Sequence, residues 1–286
     1  MNVLSLFNGM GTLRQAMHDL NIKVDKYYSS EIKPYAIELQ QHHFPDVIQV
    51  GDITKWKQWD IDWKTIDFIG SGSPCQDLSI AGKRAGINGN KSSLFWVFIE
   101  ILELVKQLNP NVLFLQENVG SANKLDVGIM SRALGVYPVR INSRLVTAQL
   151  RDRYYWTNIR TYETMFDIVT DIPQPKDKGI LFQSILTSGI AKTQKSHCIL
   201  EGYYTKAYNP EKNQKGLIGR YEMGMQSIKF ENGKGLLLNK IELCRLQGFK
   251  DNYCDILTRN KAGSLLGDGW TLPVIKHILN FMDVSK

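Results

Sequence analysis

Apolar positions follow two periods along the first half of the chain, and the switches between them mark strands and helices in turn. Asn2–Phe7 is a short apolar run that breaks at Asn8-Gly9-Met10-Gly11. Leu13, Ala16, Met17 and Leu20 then form the stripe of an amphipathic helix. Tyr27–Ile32 reads as a second strand ending in Glu31, Pro34–His42 as a helix, and Val47–Ile53 as a third strand ending in Gly51-Asp52. Ile66–Gly70 is a fourth strand. Residues 80–93 have no clear period and carry three glycines and three basic side chains, which predicts a mobile loop. Ser92 or Ser93 caps a helix whose apolar face is Phe95, Phe98, Ile101, Leu102 and Val105, and Asn109-Pro110 stops it. Val112–Leu115 is a continuous apolar strand running into Gln116-Glu117-Asn118-Val119. Val139–Val146 and Tyr154–Ile159 read as two more strands. This alternation predicts an α/β fold with a mostly parallel sheet and helices on both faces.

From about Thr161 to Gly235 periodicity weakens, Lys and Gly become frequent, and Asp171-Ile-Pro-Gln-Pro175 has the look of a linker. Three stretches follow: a main domain over 1–160, a small irregular domain over 161–235, and a return to the main domain over 236–286. Leu236–Phe249 and Trp270–Met282 are expected to be helical.

Composition narrows the class without deciding it. Across 286 residues, 43% hydrophobic and 22% charged content is that of an ordinary globular protein. Cys75, Cys198, Cys244 and Cys254 have neither paired nor CxxC spacing, so a disulfide scaffold or zinc ribbon is not expected and a reducing compartment is. His18, His42, His43, His197 and His277 form no metal-ligand spacing, and no metal is expected. No apolar run is long enough to span a bilayer, and the first seven residues read as a strand rather than a signal peptide. The fold is expected to start at the first residue and to work in the cytoplasm. A formal charge of +7 is compatible with a polyanionic partner.

Candidate chemistry collects at the predicted strand ends. Glu31, Asp52, Cys75 and Glu117 each stand at or just beyond one, and in a parallel sheet those ends share an edge. Cys75 follows Pro74, whose fixed φ stiffens its support, within Gly70-Ser-Gly-Ser-Pro74. Gly9-x-Gly11 with Glu31 about 20 residues on partly matches a dinucleotide fingerprint, but Arg14 stands at the third glycine. Glu31 suits the two hydroxyls of a ribose and Asp52 an adenine amino group. Neither carboxylate suits a pyrophosphate, which favours an adenosine ligand without phosphates.

These residues carry a resemblance to the DNA (cytosine-5) methyltransferases that spans nearly the whole chain in the family's motif order. Phe7-Asn-Gly-Met-Gly11, Glu31 and Gly51-Asp-Ile53 resemble the three S-adenosylmethionine motifs. Ser73-Pro-Cys-Gln-Asp-Leu-Ser79 resembles the nucleophile motif, Gln116-Glu-Asn-Val119 the glutamate motif and Gln149-x-Arg151-x-Arg153 the paired-arginine motif. Arg245-Leu-Gln-Gly-Phe249 and Gly267-Asp-Gly-Trp270 resemble the last two. Gly72-Ser-Pro-Cys-x-Asp-Leu-Ser79 and Leu266-Gly-x-x-Trp270-x-x-Pro-Val-Ile275 resemble the eukaryotic de novo branch, whereas Gln76 and the Gly82–Ser93 loop are closer to bacterial and phage members.

The resemblance implies a Rossmann-like S-adenosylmethionine-dependent fold with a small target-recognition domain. Cys75, Glu117, Arg151 and Arg153 become the catalytic set. Cofactor contacts fall on Phe7, Asn8, Gly9, Gly11, Thr12 and Leu13, then on Glu31, Ile32, Asp52 and Ile53, and finally on Ser73, Pro74, Asp268, Gly269 and Trp270. Gln76, Ser79, Lys83, Arg84 and Lys91 become DNA contacts, the last three on a loop that closes over the substrate. The implied reaction flips a cytosine out of duplex DNA, adds the Cys75 thiolate at carbon 6, methylates carbon 5 and eliminates the thiol, with Glu117 at N3 and the arginines at O2. A cognate restriction enzyme is a candidate partner, and the sequence leaves the oligomeric state open. Trp96 divides evenly between core and adenine contact. Tyr203, Tyr204, Tyr208 and Lys206 fit a small-domain core at least as well as DNA.

Three residues depart from the family pattern: Thr12 for a glycine, Ser73 for a proline and Asp268 for an asparagine. None removes a catalytic group. Rival readings are a tRNA cytosine-5 methyltransferase, a catalytically silent DNA-binding homologue and, more remotely, a nicotinamide dehydrogenase.

Overall fold

A computed structural model describes residues 1–74, 94–200 and 211–282. The chain divides into two compact units. The first comprises Met1–Ile141, Asp152–Gln174 and Lys276–Lys286; the second comprises Asn142–Arg151 and Pro175–Ile275.

The elements run in order as β1 (Asn2–Leu6), α1 (Thr12–Asp19), β2 (Lys26–Ser30), α2 (Pro34–His43), β3 (Ile48–Gln49), β4 (Ile66–Ser71), α3 (Leu94–Leu108), β5 (Leu113–Val119), α4 (Lys124–Leu134) and β6 (Val139–Asn142). There follow β7 (Gln149–Leu150), β8 (Asp152–Thr157), β9 (Thr161–Glu163), β10 (Ile168–Thr170) and β11 (Ser196–His197). The remainder is α5 (Gln214–Glu222), β12 (Ser227–Lys229), β13 (Gly235–Leu237), α6 (Lys240–Gln247), α7 (Arg259–Asp268) and α8 (Leu272–Leu279).

A seven-stranded sheet in the order β3-β2-β1-β4-β5-β8-β6 organises the first unit. Strands β1 to β5 pair in parallel, as the strand–helix alternation predicts, and β8 joins β5 antiparallel. The order reverses between β1 and β4: the chain first builds outward to β3, then returns to the other side. Such a reversal opens a crevice beyond the carboxyl ends of the two strands. Register sharpens its position, because Leu6 pairs with Ser30 and Ser71, and Ser71 pairs with Gln116. Four strands therefore reach one level together.

The core beneath this edge is made by period. In α3, Phe95, Phe98, Ile101, Leu102 and Val105 are buried at helical spacing, against Leu4, Leu6, Ile66, Ile69 and Phe114. Truncating one such aromatic to alanine costs roughly 3–5 kcal/mol. Trp156 of β8 is fully buried, and its Nε1 donates to Ser131 Oγ at 2.9 Å, satisfying the polar end of a large apolar side chain.

Four segments differ from the expected pattern, each for a local reason. Val47–Ile53 pairs only over Ile48–Gln49, because Gly51 turns the chain at φ 81° and the Asp52 carboxylate then caps a 3-10 turn by accepting from Thr54 N. Val139–Val146 stops as a strand at Asn142, whose side chain accepts from Arg144 N and starts another 3-10 turn. Leu236–Phe249 begins with strand pairing of Gly235–Leu237 to Ser227–Lys229, and the helix starts only after the Asn239–Glu242 capping box. Trp270–Met282 becomes helical at Leu272, after a separate helix, α7, capped by Thr258. The pattern also overlooks α4, between an Asn123 cap and Gly135 in the left-handed region.

Residues at opposite ends of the sequence meet within the first unit. Lys276 Nζ lies 2.9 Å from Asp19 Oδ2, and Gln15 Nε2 donates to Asp19 Oδ1 at 2.6 Å. Burial pushes the Asp19 carboxyl up, but the hydrogen bonds from Lys276 and Gln15 and the Lys276 charge outweigh it and hold the group below its ordinary value of 3.8. A carboxyl lowered in the folded state stabilises above its unfolded pKa, and that stability disappears as pH falls through the folded value. Lys276→Met should therefore cost about 0.5–1 kcal/mol in urea unfolding at pH 7, the range for a partly exposed pair. The difference from the parent protein should shrink as pH is lowered below 3.8. An undiminished difference at pH 2–3 would assign the effect to lost packing instead.

Candidate active site

The turn after β1 departs from ordinary backbone geometry. Phe7, Gly9 and Gly11 all have positive φ, at 54°, 57° and 80°. A non-glycine residue there carries strain that the surroundings must hold in place. Three bonds do so: Asn8 N–H donates to Ser30 O at 3.1 Å, Gly11 N–H to Asn8 O at 3.2 Å, and Gly9 N–H to Glu31 Oε2 at 2.7 Å. At Gly11 an added Cβ would sit 3.4 Å from Gln40 Cγ in an already left-handed conformation, so the site requires glycine. Thr12 and Leu13 are buried at the start of α1, and Phe7 packs partly on the core.

Glu31 is fixed from both sides. Besides Gly9 N–H on Oε2, its Oε1 accepts from Ile32 N at 2.8 Å and Lys33 N at 2.9 Å. Both lone pairs of Oε1 are thereby used, and Oε2 keeps one further lone pair that can still receive a ribose hydroxyl. Asp52 spends Oδ1 on the Thr54 cap at 2.9 Å. Ile32 presents an apolar side chain that is 68% exposed beside Glu31, whereas Ile53 is buried in the core. Two spaced carboxylates, an exposed aliphatic and a glycine turn fit the adenosine part of S-adenosylmethionine. Trp96 is half-buried and meets Phe95 edge-on, with ring centroids 5.3 Å apart.

Ser73 and Gln116 join the ends of β4 and β5. Both are buried, and Gln116 Nε2 donates to Ser73 Oγ at 2.9 Å and to Glu117 O at 2.8 Å. A proline at 73 could not take this bond, which gives the serine a physical account. One residue on, Glu117 is 8% exposed and pairs with Arg153, Nε to Oε1 at 2.8 Å. Arg153 Nη1 also donates to Asp152 O at 2.8 Å. The strand pairing of Val119 with Arg153 brings the two side chains together. Asp152 is in turn held by Arg140 Nε at 2.8 Å, and Gly120 admits its backbone, where a Cβ would come within 2.8 Å.

Arg151, in the second unit, is committed differently. It is 3% exposed, and its guanidinium donates to Gly267 O at 3.1 Å and Gly269 O at 2.8 Å. Gln149 and Gln247, which sequence reasoning left out of the candidate set although both stand inside quoted motifs, complete the lattice. Gln149 Nε2 donates to Leu246 O at 3.1 Å and Gln247 Oε1 at 3.2 Å, and Gln247 Nε2 reaches Gly269 O at 3.2 Å. Ser143 Oγ donates to Thr271 Oγ1 at 2.8 Å, which donates to Gln247 Oε1 at 2.9 Å. The three terminal motifs are thus one buried hydrogen-bonded network. Asp268 is exposed at the end of α7, and Gly269 and Trp270 are half-buried beyond it.

Cys75, Gln76, Ser79, Lys83, Arg84 and Lys91, with the whole 80–93 loop, lie outside the described residues, as do Tyr203, Tyr204, Lys206 and Tyr208. Among the described residues no three His, Cys, Asp or Glu side chains gather as a metal site, and no helix is long and apolar enough to cross a membrane. Charge is unevenly distributed. The second unit holds 17 Lys and Arg against 9 Asp and Glu, whereas the first holds 18 against 19.

A family model described as C-5 cytosine-specific DNA methylase matches residues 1–134. The chain is similar to the Type II methyltransferase M1.ScrFI of Lactococcus lactis subsp. cremoris, at 27% identity over 98% of this chain and 77% of that protein. It is also similar to the Type II methyltransferase M.NgoBV of Neisseria gonorrhoeae, at 28% identity over 82% of this chain and 59% of the relative, so it spans under two thirds of that length. Among solved structures, the Entamoeba histolytica methyltransferase EhMeth shares the fold with a TM-score of 0.67 and 16% identity, over 98% of this chain and 97% of that one.

The two carbonyls held by Arg151 give a direct test. Lysine keeps the charge but cannot serve both acceptors with a rigid fork. Arg151→Lys should lower unfolding stability by about 1–3 kcal/mol, the cost of leaving buried partners unsatisfied. It should also speed proteolysis near residue 268. A variant as stable and as resistant as the parent would show that these bonds are not needed to hold the 267–269 segment.

Proposed function

We propose that this chain is a C-5 cytosine-specific DNA methylase, the family its first 134 residues match, and that it transfers a methyl group from S-adenosylmethionine to carbon 5 of cytosine in duplex DNA. One observation carries the reading. Phe7, Glu31, Gly72 and Glu117 each stand one residue past the level at which Leu6, Ser30, Ser71 and Gln116 pair. With Asp52 beyond β3, the sheet order puts Asp52, Glu31, the Gly9–Gly11 turn, Ser73-Pro74 and Glu117 along one edge, which supports reading the two acids as adenine and ribose acceptors. The concentration of positive charge in the second unit supports a polyanionic substrate.

S-adenosylmethionine supplies an electrophilic methyl group when bound. The chain's own residues do the rest. Glu31 receives a ribose hydroxyl on Oε2 and Asp52 the adenine amino group. A cytosine turned out of the helix meets Cys75, whose sulfur forms a bond to carbon 6 while the electron pair of the 5,6 double bond moves into the ring. Glu117 holds N3, where that charge gathers, and shares a proton with it; Arg153 keeps the carboxyl group oriented and balances the charge. After carbon 5 is methylated, its proton leaves to a base and the Cys75–carbon 6 bond breaks, which restores the double bond. Arg151 acts as a positioning residue, through the backbone of Gly267 and Gly269.

The test is labelled methyl transfer from S-adenosylmethionine to duplex DNA and to tRNA, side by side. DNA should be labelled and tRNA not; label in tRNA alone would overturn the substrate. Cys75→Ser should abolish transfer and the trapping of 5-fluorocytosine DNA while leaving cofactor affinity within about twofold. Retained transfer would move the nucleophile elsewhere. Glu117→Gln should lower kcat by roughly 10²–10⁴, the range for a positioned acid–base group, without weakening cofactor binding.

A further inference from the structure

The strained turn after β1 hides a polar pair that the reaction scheme does not use. Tyr27, on β2, is 1% exposed, and its Oη donates to Asn8 Oδ1 at 3.0 Å. Asn8 is itself only 9% exposed, between Phe7 and Gly9. Its backbone is fully engaged, donating to Ser30 O and accepting from Gly11 N–H. Its side-chain Nδ2 is buried and has no hydrogen-bond partner among the described residues. Buried amide donors are nearly always paired, so one left over in this turn calls for an acceptor that the described residues do not supply.

Tyr27 decides which end of the amide is left over. Burial pushes the phenol far above its ordinary value, although the neighbouring Ser5 hydroxyl and Arg14 work the other way, so Tyr27 stays a neutral donor throughout the physiological range. An O–H donor on Oδ1 fixes the amide so that the NH₂ end is the one still to be satisfied. Sheet order supplies the direction. With adenine beyond β3 and ribose beyond β2, the third arm of the ligand extends to the next strand, β1, whose turn contains Asn8. That arm is an amino acid and ends in a carboxylate.

We propose that Tyr27 and Asn8 form a buried orienting pair, in which Tyr27 holds the Asn8 amide so that Nδ2 donates to the carboxylate of the cofactor's amino-acid arm. The inference rests on the S-adenosylmethionine reading above. Asn8 is then a binding residue and Tyr27 a positioning residue acting through it. The pair makes the turn selective for ligands with the complete arm.

Calorimetric titration of the full chain with S-adenosylhomocysteine and with 5′-methylthioadenosine tests this, because the two share the adenosine and sulfur but only the first has the arm. Asn8→Asp keeps an oxygen for Tyr27 and replaces the donor with a carboxylate. It should weaken S-adenosylhomocysteine about tenfold or more, the scale of a lost hydrogen bond to a charged group, and leave 5′-methylthioadenosine within about twofold. Tyr27→Phe should act in the same direction, about three- to tenfold, again on the first ligand alone. Equal losses for both ligands, or none for the first, would overturn the pair's role and make it packing only. Glu31→Ala serves as the control and should weaken both; if it weakens neither, the adenosine assignment fails and takes this inference with it. Should Asn8→Asp not fold, the Tyr27→Phe comparison decides alone.

Discussion

Parallel strands β2, β1, β4 and β5 reach a common level at Ser30, Leu6, Ser71 and Gln116, and the candidate chemistry depends on that alignment. Side chains alternate faces along a strand, so a one-residue slip in any pair would turn Glu31 or Glu117 to the opposite face. Hydrophobic burial of α3 against the sheet fixes the register, and polar bonds at the edge refine it. Gly9 N–H on Glu31 ties β1 to β2, and Gln116 on Ser73 ties β5 to β4. The site is organised by the packing underneath it.

The parts legible in the sequence were those with strong periodicity. β1, β2, β4, β5 and α3 carry continuous apolar runs or a clean helical stripe, and their strand-end acids were visible for that reason. Where capping decided the outcome, pattern reading failed. Asp52 reads as the polar end of a strand, but its carboxylate closes a 3-10 turn; Leu236 and Leu237 read as the start of a helix, but they belong to the strand Gly235–Leu237 that pairs with Ser227–Lys229. Helix α4 carries only Met130 and Leu134 as buried large side chains, too few for a stripe, and is marked by its caps instead. Tyr27 and Gln247 were missed for another reason. Their work is done by hydrogen bonds to residues 19 or more positions away, which no local window contains.

Two arginines separated by one residue end in opposite circumstances. Arg153 pairs with a carboxylate at the sheet edge, whereas Arg151 is almost wholly buried and spends its fork on two backbone carbonyls. Motif resemblance treats them as equivalent base contacts. Their partners differ in kind: the Glu117 carboxylate for Arg153, and the carbonyls of a glycine-rich segment for Arg151. Arginine suits both, since the same planar fork matches a carboxylate or a pair of carbonyls.

The Lys276–Asp19 contact also has a consequence for synthesis. Closing it requires a residue near the end of the chain to find one near its beginning, with the second unit's longest segment, Pro175–Ile275, translated in between. A ribosome adding about 5–20 residues per second exposes the unfinished sheet for several seconds before Lys276 emerges. During that time Asp19 lacks its Lys276 partner, and the nascent sheet must persist on the burial that α1, α2, α3 and α4 already provide. The order of synthesis thus adds a demand that the finished fold conceals: the amino-terminal half must be cohesive enough to wait.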